Sequence, residues 1–457
     1  MSSPSKGGGM SYGRGATLLS ALIGVTGLLT YGFHSLVAHA LGRDKYGVIA
    51  VLWAAAFLIA SEIYRPVEQL LSRTIAEREA RDASIGSALR VAATIQLALV
   101  ALFIAIALPL RSTVEDQLFS NNSTLYWCLV AAVVFYAASY FARGFLAGER
   151  RFGLYGGLVL MESASRVVFG VLLAVGLING PNAAGVAIAA APLLSLIVVP
   201  FALGRHVRRA SARGDRSTAA DPEFTLSRGL GFASAVLVIM VSEQAILNSG
   251  VLIVKADTGS DSLAALIFAV LMIARAPLQL FQAVSTTLLP HLTRLIVTEQ
   301  GDAHRGDFGR SVRITVLACL GFGGATVIGV LAVGPAAMRL LFGSDFNYDR
   351  GGLAMVAAGT GLYLAATTLN QAVLAQGRAR IASASWAVSA AFFVAFLLIA
   401  NIAQVREVEI AFLATAALLA ILMYAAYRRP VVSAEPRIEP GSPEEVEAVL
   451  AAADEGS

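Results

Sequence analysis

Apolar residues in this chain come in blocks of about 20 to 28, separated by short polar and charged runs. A helix rises 1.5 Å per residue, so each block is long enough to cross a hydrocarbon layer of about 30 Å. Twelve spans are predicted: 15–41, 46–71, 85–110, 123–147, 152–178, 183–204, 228–254, 262–290, 311–336, 352–376, 381–401 and 408–427. The first is not a cleaved signal, because its apolar run exceeds the 7–15 residues of a signal core and further spans follow it.

Composition agrees with the pattern. The 457 residues are 57% hydrophobic and 14% charged, with a mean hydropathy of +0.72, whereas a soluble domain carries about 25% charged residues. The expected fold is an all-α polytopic membrane protein. Cys128 and Cys319 both fall inside spans and read as small apolar packing residues, not as a disulfide or metal site. No cofactor or metal is implied. A formal charge of +4 is too small to suggest a nucleic-acid partner.

The basic residues are topology signals. With the N-terminus placed in the cytoplasm, the inner segments hold 23 Lys and Arg and the outer loops 7. That bias puts both termini in the cytoplasm and requires an even number of spans. The predicted organisation is a cytoplasmic segment 1–14, a six-helix bundle 15–204, an Arg-rich cytoplasmic linker 205–227, a second six-helix bundle 228–427 and an acidic cytoplasmic tail 428–457.

The halves resemble each other. Leu146-Ala147-Gly148-Glu149-Arg150 matches Leu374-Ala375-Gln376-Gly377-Arg378 at an offset of 228 residues. Leu118-Phe119-Ser120-Asn121 matches Leu341-Phe342-Gly343-Ser344, and mid-span Pro66 matches Pro277. Six spans per half start each half on the same side. The repeat is therefore parallel, with a path between two bundles.

Four arginines, Arg65, Arg143, Arg166 and Arg275, lie inside spans. A charge there costs roughly 3 kcal/mol on insertion scales and usually faces a cavity or a partner. Arg275 continues into Gln279, Gln282 and Thr286, one polar helix face. Arg166 follows Glu162 by four residues, the favourable order for an intrahelical pair. Arg65 sits between Glu62 and Glu68 beside a Pro66 kink. Arg143 shares a face with Tyr136 and Tyr140 near the inner rim, where it could snorkel. Glu243 stands in span seven with Gln244 and Asn248. Glu62, Glu243 and Asn248 are the candidates for coupling a proton or sodium ion, with pairing of Glu243 to an arginine on another helix as the alternative. His34 and His39 lie about 140° apart around their helix and are expected to be separate buried histidines.

The hairpin Ala38-His39-Ala40-Leu41-Gly42-Arg43-Asp44-Lys45-Tyr46-Gly47 and the segment Met338-Arg339-Leu340-Leu341-Phe342-Gly343-Ser344-Asp345-Phe346 carry a further likeness. With Pro290 before a polar inner loop, they resemble the multidrug/oligosaccharidyl-lipid/polysaccharide exporter superfamily, and within it the polysaccharide branch, the Wzx-type flippases. The resemblance covers about residues 15–427. It implies a V-shaped pair of six-helix bundles in the bacterial cytoplasmic membrane, moving a lipid-linked oligosaccharide by alternating access. Such a substrate is an anionic polyprenyl diphosphate, and arginine forks suit phosphate oxygens. The candidate substrate-binding residues, read from their charge and spacing within the spans, are Arg65, Arg143, Arg166, Arg275, Gln279 and Gln282. The alternative within the superfamily is a cation-coupled multidrug exporter, which predicts an acidic, aromatic pocket.

An enzyme is not expected. There is no Gly-rich P-loop, no His-Glu-x-x-His pair and no nucleophile elbow, and the longest outer loop, 334–351, is short. Orientation is directly testable. A fluorescent reporter that matures only in the cytoplasm should be bright at the C-terminus and dark when inserted in the 42–45 turn. The reverse pattern would invert the topology.

Overall fold

The computed structural model describes residues 12–80, 84–200, 226–273, 305–400 and 404–429, and every regular element among them is helical. Ten stretches among the described residues are long and apolar enough to cross a membrane. The first of these, Ala21–Arg78, holds two helices, which meet at Gly42. Its φ of 72° and ψ of 170° lie where only glycine is at ease. The helices are α1 (12–41), α2 (43–80), α3 (Gly86–Ala107), α4 (Arg111–Phe119), α5 (Ser123–Gly148), α6 (Phe152–Ala174) and α7 (Gly180–Ser195). The second half holds α8 (Leu226–Thr258), α9 (Asp261–Ile273), α10 (Arg305–Phe342), α11 (Arg350–Ala375), α12 (Ala379–Ile399) and α13 (Gln404–Arg428). Each expected span has a helical counterpart, the eighth only as far as Ile273. Pro277, Pro290, most of the linker 205–227 and nearly all of the tail lie outside the described residues.

Several boundaries differ from expectation. α2 runs to Ala80, past residue 71, because the segment lacks Gly and Pro and Arg73 pairs with Glu77 one turn on at 2.7 Å. α10 continues through Pro335 to Phe342, so helix takes up half of the 334–351 loop. α4 occupies the connection between spans three and four, with Arg111 on Glu115 at 2.8 Å. At Pro66 the helix continues without a non-helical dihedral, so the expected kink is absent as a break.

The repeat is visible in the packing. α1 lies on α6 as α8 lies on α12; α5 packs on α7 and α11 on α13; α6 packs on α7 and α12 on α13. The caps repeat bond for bond. Asn122 accepts from the Leu125 N–H (3.3 Å) at the start of α5, and Asp349 accepts from the Gly352 N–H (2.9 Å) at the start of α11. At the far ends, Arg151 N–H donates to Leu146 O (2.8 Å) and Arg378 N–H to Val373 O (3.1 Å). The preceding residues, Arg150 (φ 54°) and Gly377 (φ 75°), are both left-handed. These pairs stand 227 residues apart, not 228. The letter match had slipped by one, and Arg151, not Arg150, is the structural mate of Arg378.

Helices inside a bilayer gain no hydrophobic energy from meeting, so small residues that admit close contact hold them together. A Cβ on Gly148 would lie 2.6 Å from Ile75 Cβ, and one on Gly323 would lie 2.5 Å from Gly361 Cα. Cys128 and Cys319 are buried free thiols, as expected of packing residues. Gly148→Val should cost about 1–3 kcal/mol, seen as a lower Tm in detergent. Gly157→Ala, whose Cβ meets only Val198 at 4.0 Å, should be neutral or slightly stabilising.

Candidate functional site

α6 turns two charged residues inward. Glu162 and Arg166, one helical turn apart, are 4% and 2% exposed. Glu162 is the hub of a buried knot. One carboxylate oxygen accepts from the Tyr136 hydroxyl (2.8 Å) and from Arg166; the other accepts from Arg143. Arg166 also donates to the Tyr136 hydroxyl at 2.6 Å. Its guanidinium lies 4.9 Å from the Trp53 ring centre and 5.6 Å from that of Phe57. The Arg143 guanidinium lies 4.8 Å from the Tyr140 ring. Two arginines share one carboxylate, and Arg143 also lies within electrostatic reach of Glu68. The Nε groups of both arginines are buried with no hydrogen-bond partner among the described residues.

Arg143 does not snorkel to the rim. α5 ends near the side where α6 begins, and helical side chains tilt toward the N-terminus of their own helix. That tilt carries Arg143 away from the end of α5 and onto Glu162.

A second cluster spans the halves. On α2, Glu62, Arg65 and Glu68 follow one another at intervals of three residues. Glu68 accepts from the Tyr155 hydroxyl (3.0 Å). Glu243 on α8 accepts from the Tyr363 hydroxyl of α11 at 3.2 Å. Arg65 lies within electrostatic reach of Glu243 and Glu68, and Glu62 within reach of Arg65 and Glu243. Both oxygens of Glu62 are buried and unpartnered among the described residues. Glu243 thus faces an arginine of another helix, as one of its two alternatives anticipated. Asn248 is bonded to Gln244 at 2.8 Å, on a different face of α8 from Glu243. His34 is buried and bonds the Tyr46 hydroxyl through Nδ1 (2.9 Å), its Nε2 unpartnered among the described residues; His39, contrary to expectation, is exposed, its ring against Ser35 O (2.8 Å). Arg275, Gln279 and Gln282 lie outside the described residues. Among those described, no group of three or more metal-ligating side chains forms.

Tyr155, Tyr363, Trp53 and Phe57 escaped attention in the sequence. One signal was available for Tyr363: at the offset of 227 it is the repeat mate of Tyr136. Both donate to a glutamate, buried Glu162 and half-buried Glu243. The remaining mates are uncharged: Arg143 corresponds to Asn370, Glu162 to Ser389 and Arg166 to Phe393.

No protein-family model matches the chain, and no curated protein does. Solved structures do. A mutant of the Vibrio cholerae MATE transporter VcmN superposes with a TM-score of 0.60 at 15% identity, covering 91% of this chain and 97% of that one. The fold is that of the MATE transporters. The eukaryotic MATE transporter AtDTX14 gives 0.59 at 16% identity, over 92% and 96% of the two chains. An inward-facing multidrug resistance MATE family transporter of the MOP superfamily gives 0.61 at 16% identity, over 92% and 94%. At these identities the likeness is one of fold. Within the MATE fold, the Glu162 knot lies in the first bundle and the Glu62–Glu243 cluster on the seam between bundles.

Glu162→Gln should strand Arg166, buried without another carboxylate among the described residues, and leave Arg143 only Glu68. Removing one partner of a buried pair costs about 3–5 kcal/mol, readable as a fall in Tm in detergent. A double-mutant cycle with Arg166→Met should return a coupling of about 0.5–3 kcal/mol; zero coupling would dissolve the knot.

Proposed function

We propose that this protein is an alternating-access transporter of the multidrug/oligosaccharidyl-lipid/polysaccharide superfamily. Its substrate is an anionic, polyprenyl diphosphate-linked oligosaccharide, carried across the bacterial cytoplasmic membrane for cell-surface polysaccharide synthesis. The observation that carries this reading is the gathering of three arginines within the spans, two of them with N–H groups left unbonded among the described residues. Arg143 and Arg166 share one carboxylate and keep unpartnered Nε groups. Arg65 supplies a third cation on the seam. A phosphate arriving there would meet forks that are already charged and held by tyrosines. Arg275, Gln279 and Gln282 are assigned to the same path from their spacing alone. The MATE fold supports transport and a two-bundle mechanism.

One observation favours a second reading, the cation-coupled multidrug exporter. Glu62 and Glu243 face each other across the seam beside Tyr363, an acidic and aromatic setting. In the first reading the same pair holds the coupling proton or sodium ion. Asn248 has no part in that pair.

Proteoliposomes separate the two. Wild type should move a fluorescent polyprenyl diphosphate saccharide, and Arg65→Ala should weaken its binding about tenfold or more, the worth of a charge-assisted hydrogen bond. Saturable export of a cationic dye, with no saccharide transport and with loss in Glu62→Gln, would replace the flippase by the exporter.

A further inference from the structure

The two segments that carried the sequence resemblance meet in space. At the end of the molecule holding Gly42 and Gly259, each half docks the turn before its second span onto the segment that follows the third span of the other half. On one side, the Tyr46 ring lies 5.8 Å from Phe346 and 6.2 Å from Phe342, and Arg43 donates to Asp345 O at 3.3 Å. On the other, Lys255, 1% exposed, pairs with Asp261 at 2.7 Å and donates to Ser120 at 2.8 Å; Ser120 donates to Asp261 at 3.0 Å. The arrangement is twofold in plan. Gly42 (φ 72°) and Gly259 (φ 66°) form the two turns, and left-handed Ser120 (φ 50°) and Gly343 (φ 107°) follow α4 and α10 on the receiving segments.

The closure is tightest where the two turns meet. A Cβ on Gly47 would fall 1.9 Å from Asp261 O and 2.4 Å from its carbonyl carbon. No side chain fits between α2 and the start of α9. α1 reinforces the contact, with the Tyr31 hydroxyl donating to Met272 O at 2.6 Å and the His34 ring tilted against that of Phe268 at 4.9 Å.

We propose that these two dockings form one gate, built once from each half, and that it must part for the path to open on that side. Gly47 is the position whose missing side chain lets the gate shut, and Lys255 is the buried cation that latches it. Lys255 and Asp261 flank one turn, so their ion pair stays whole when the gate parts; the bonds that break are those of Ser120 to both. Lys255 latches the gate by holding Asp261 in place to receive the Ser120 hydroxyl. This proposal rests on alternating access and not on the substrate.

The test needs no substrate. In a chain with Cys128→Ala and Cys319→Ser, a single reporter cysteine replaces Gln69, an exposed residue of α2 that meets Met240 of α8 across the seam (3.8 Å), 22 residues along the helix from Gly47. A membrane-impermeant maleimide is applied from the gate side in oriented vesicles. Lys255→Met and Gly47→Val should each raise the labelling rate about tenfold, a shift of about 1.4 kcal/mol toward the open form. Ser120→Cys with Asp261→Cys, once oxidised, should suppress labelling until reductant is added. Unchanged labelling in folded Lys255→Met overturns the gate whatever Gly47→Val does, and so does a cross-linked chain that still labels freely. A result here stands even if no saccharide is transported, and the reverse also holds.

Discussion

An arginine placed among hydrocarbon must find a counter-charge or a polar surface, and in this protein Glu162 provides it. The cost of leaving a guanidinium unpaired in such surroundings exceeds most single contributions to the stability of a helix bundle. One carboxylate holding two arginines therefore fixes two helices against each other. The register of α5 against α6, the inward face of each and the rotamer of Tyr136 follow from that one group. The aromatic wall completes the arrangement. Trp53 and Phe57, stacked at 4.3 Å, turn toward the Arg166 cation from α2.

The scaffold is symmetric and the chemistry is not. Helix order, packing partners and caps of α5–α7 recur in α11–α13, yet the charged knot has no counterpart in the second bundle. Where Arg143 stands in one, Asn370 in the other accepts from the Trp386 indole at 3.2 Å; where Glu162 stands, Ser389 bonds its own helix backbone at 2.9 Å. The tyrosine survives in both, and in the second bundle it reaches Glu243 on the seam instead. A duplicated frame has thus been given a charged wall on one side and a mostly apolar one on the other. The seam between them is where their carboxylates and Arg65 come together.

Much of this was legible in the letters, for identifiable reasons. Span positions follow from runs of apolar residues, a local property, and the helices fall where the runs do. Ends were harder. α2 and α10 outlast their apolar cores because nothing in Ser72–Ala80 or Pro335–Phe342 stops a helix once the membrane does. The Glu162–Arg166 pair was readable because four residues make one turn. The Arg143–Glu162 bond was not, because it joins two helices whose relative depth depends on a turn at 149–151. Nor could spacing reveal that Tyr363 meets Glu243, 120 residues away in the chain. Only the repeat mate offered a hint, and a slip of one residue in the matched letters concealed it.

That slip has a consequence of its own. Arg150 and Gly377 occupy the same left-handed position, with the same hydrogen bonds on either side. Glycine adopts that conformation freely, while a side chain there costs on the order of 1 kcal/mol. Letters align arginine with arginine and miss the correspondence; backbone bonds align arginine with glycine and find it. The ancestry of the two halves is written in main-chain geometry, which has persisted at a position where the residue best suited to it has not.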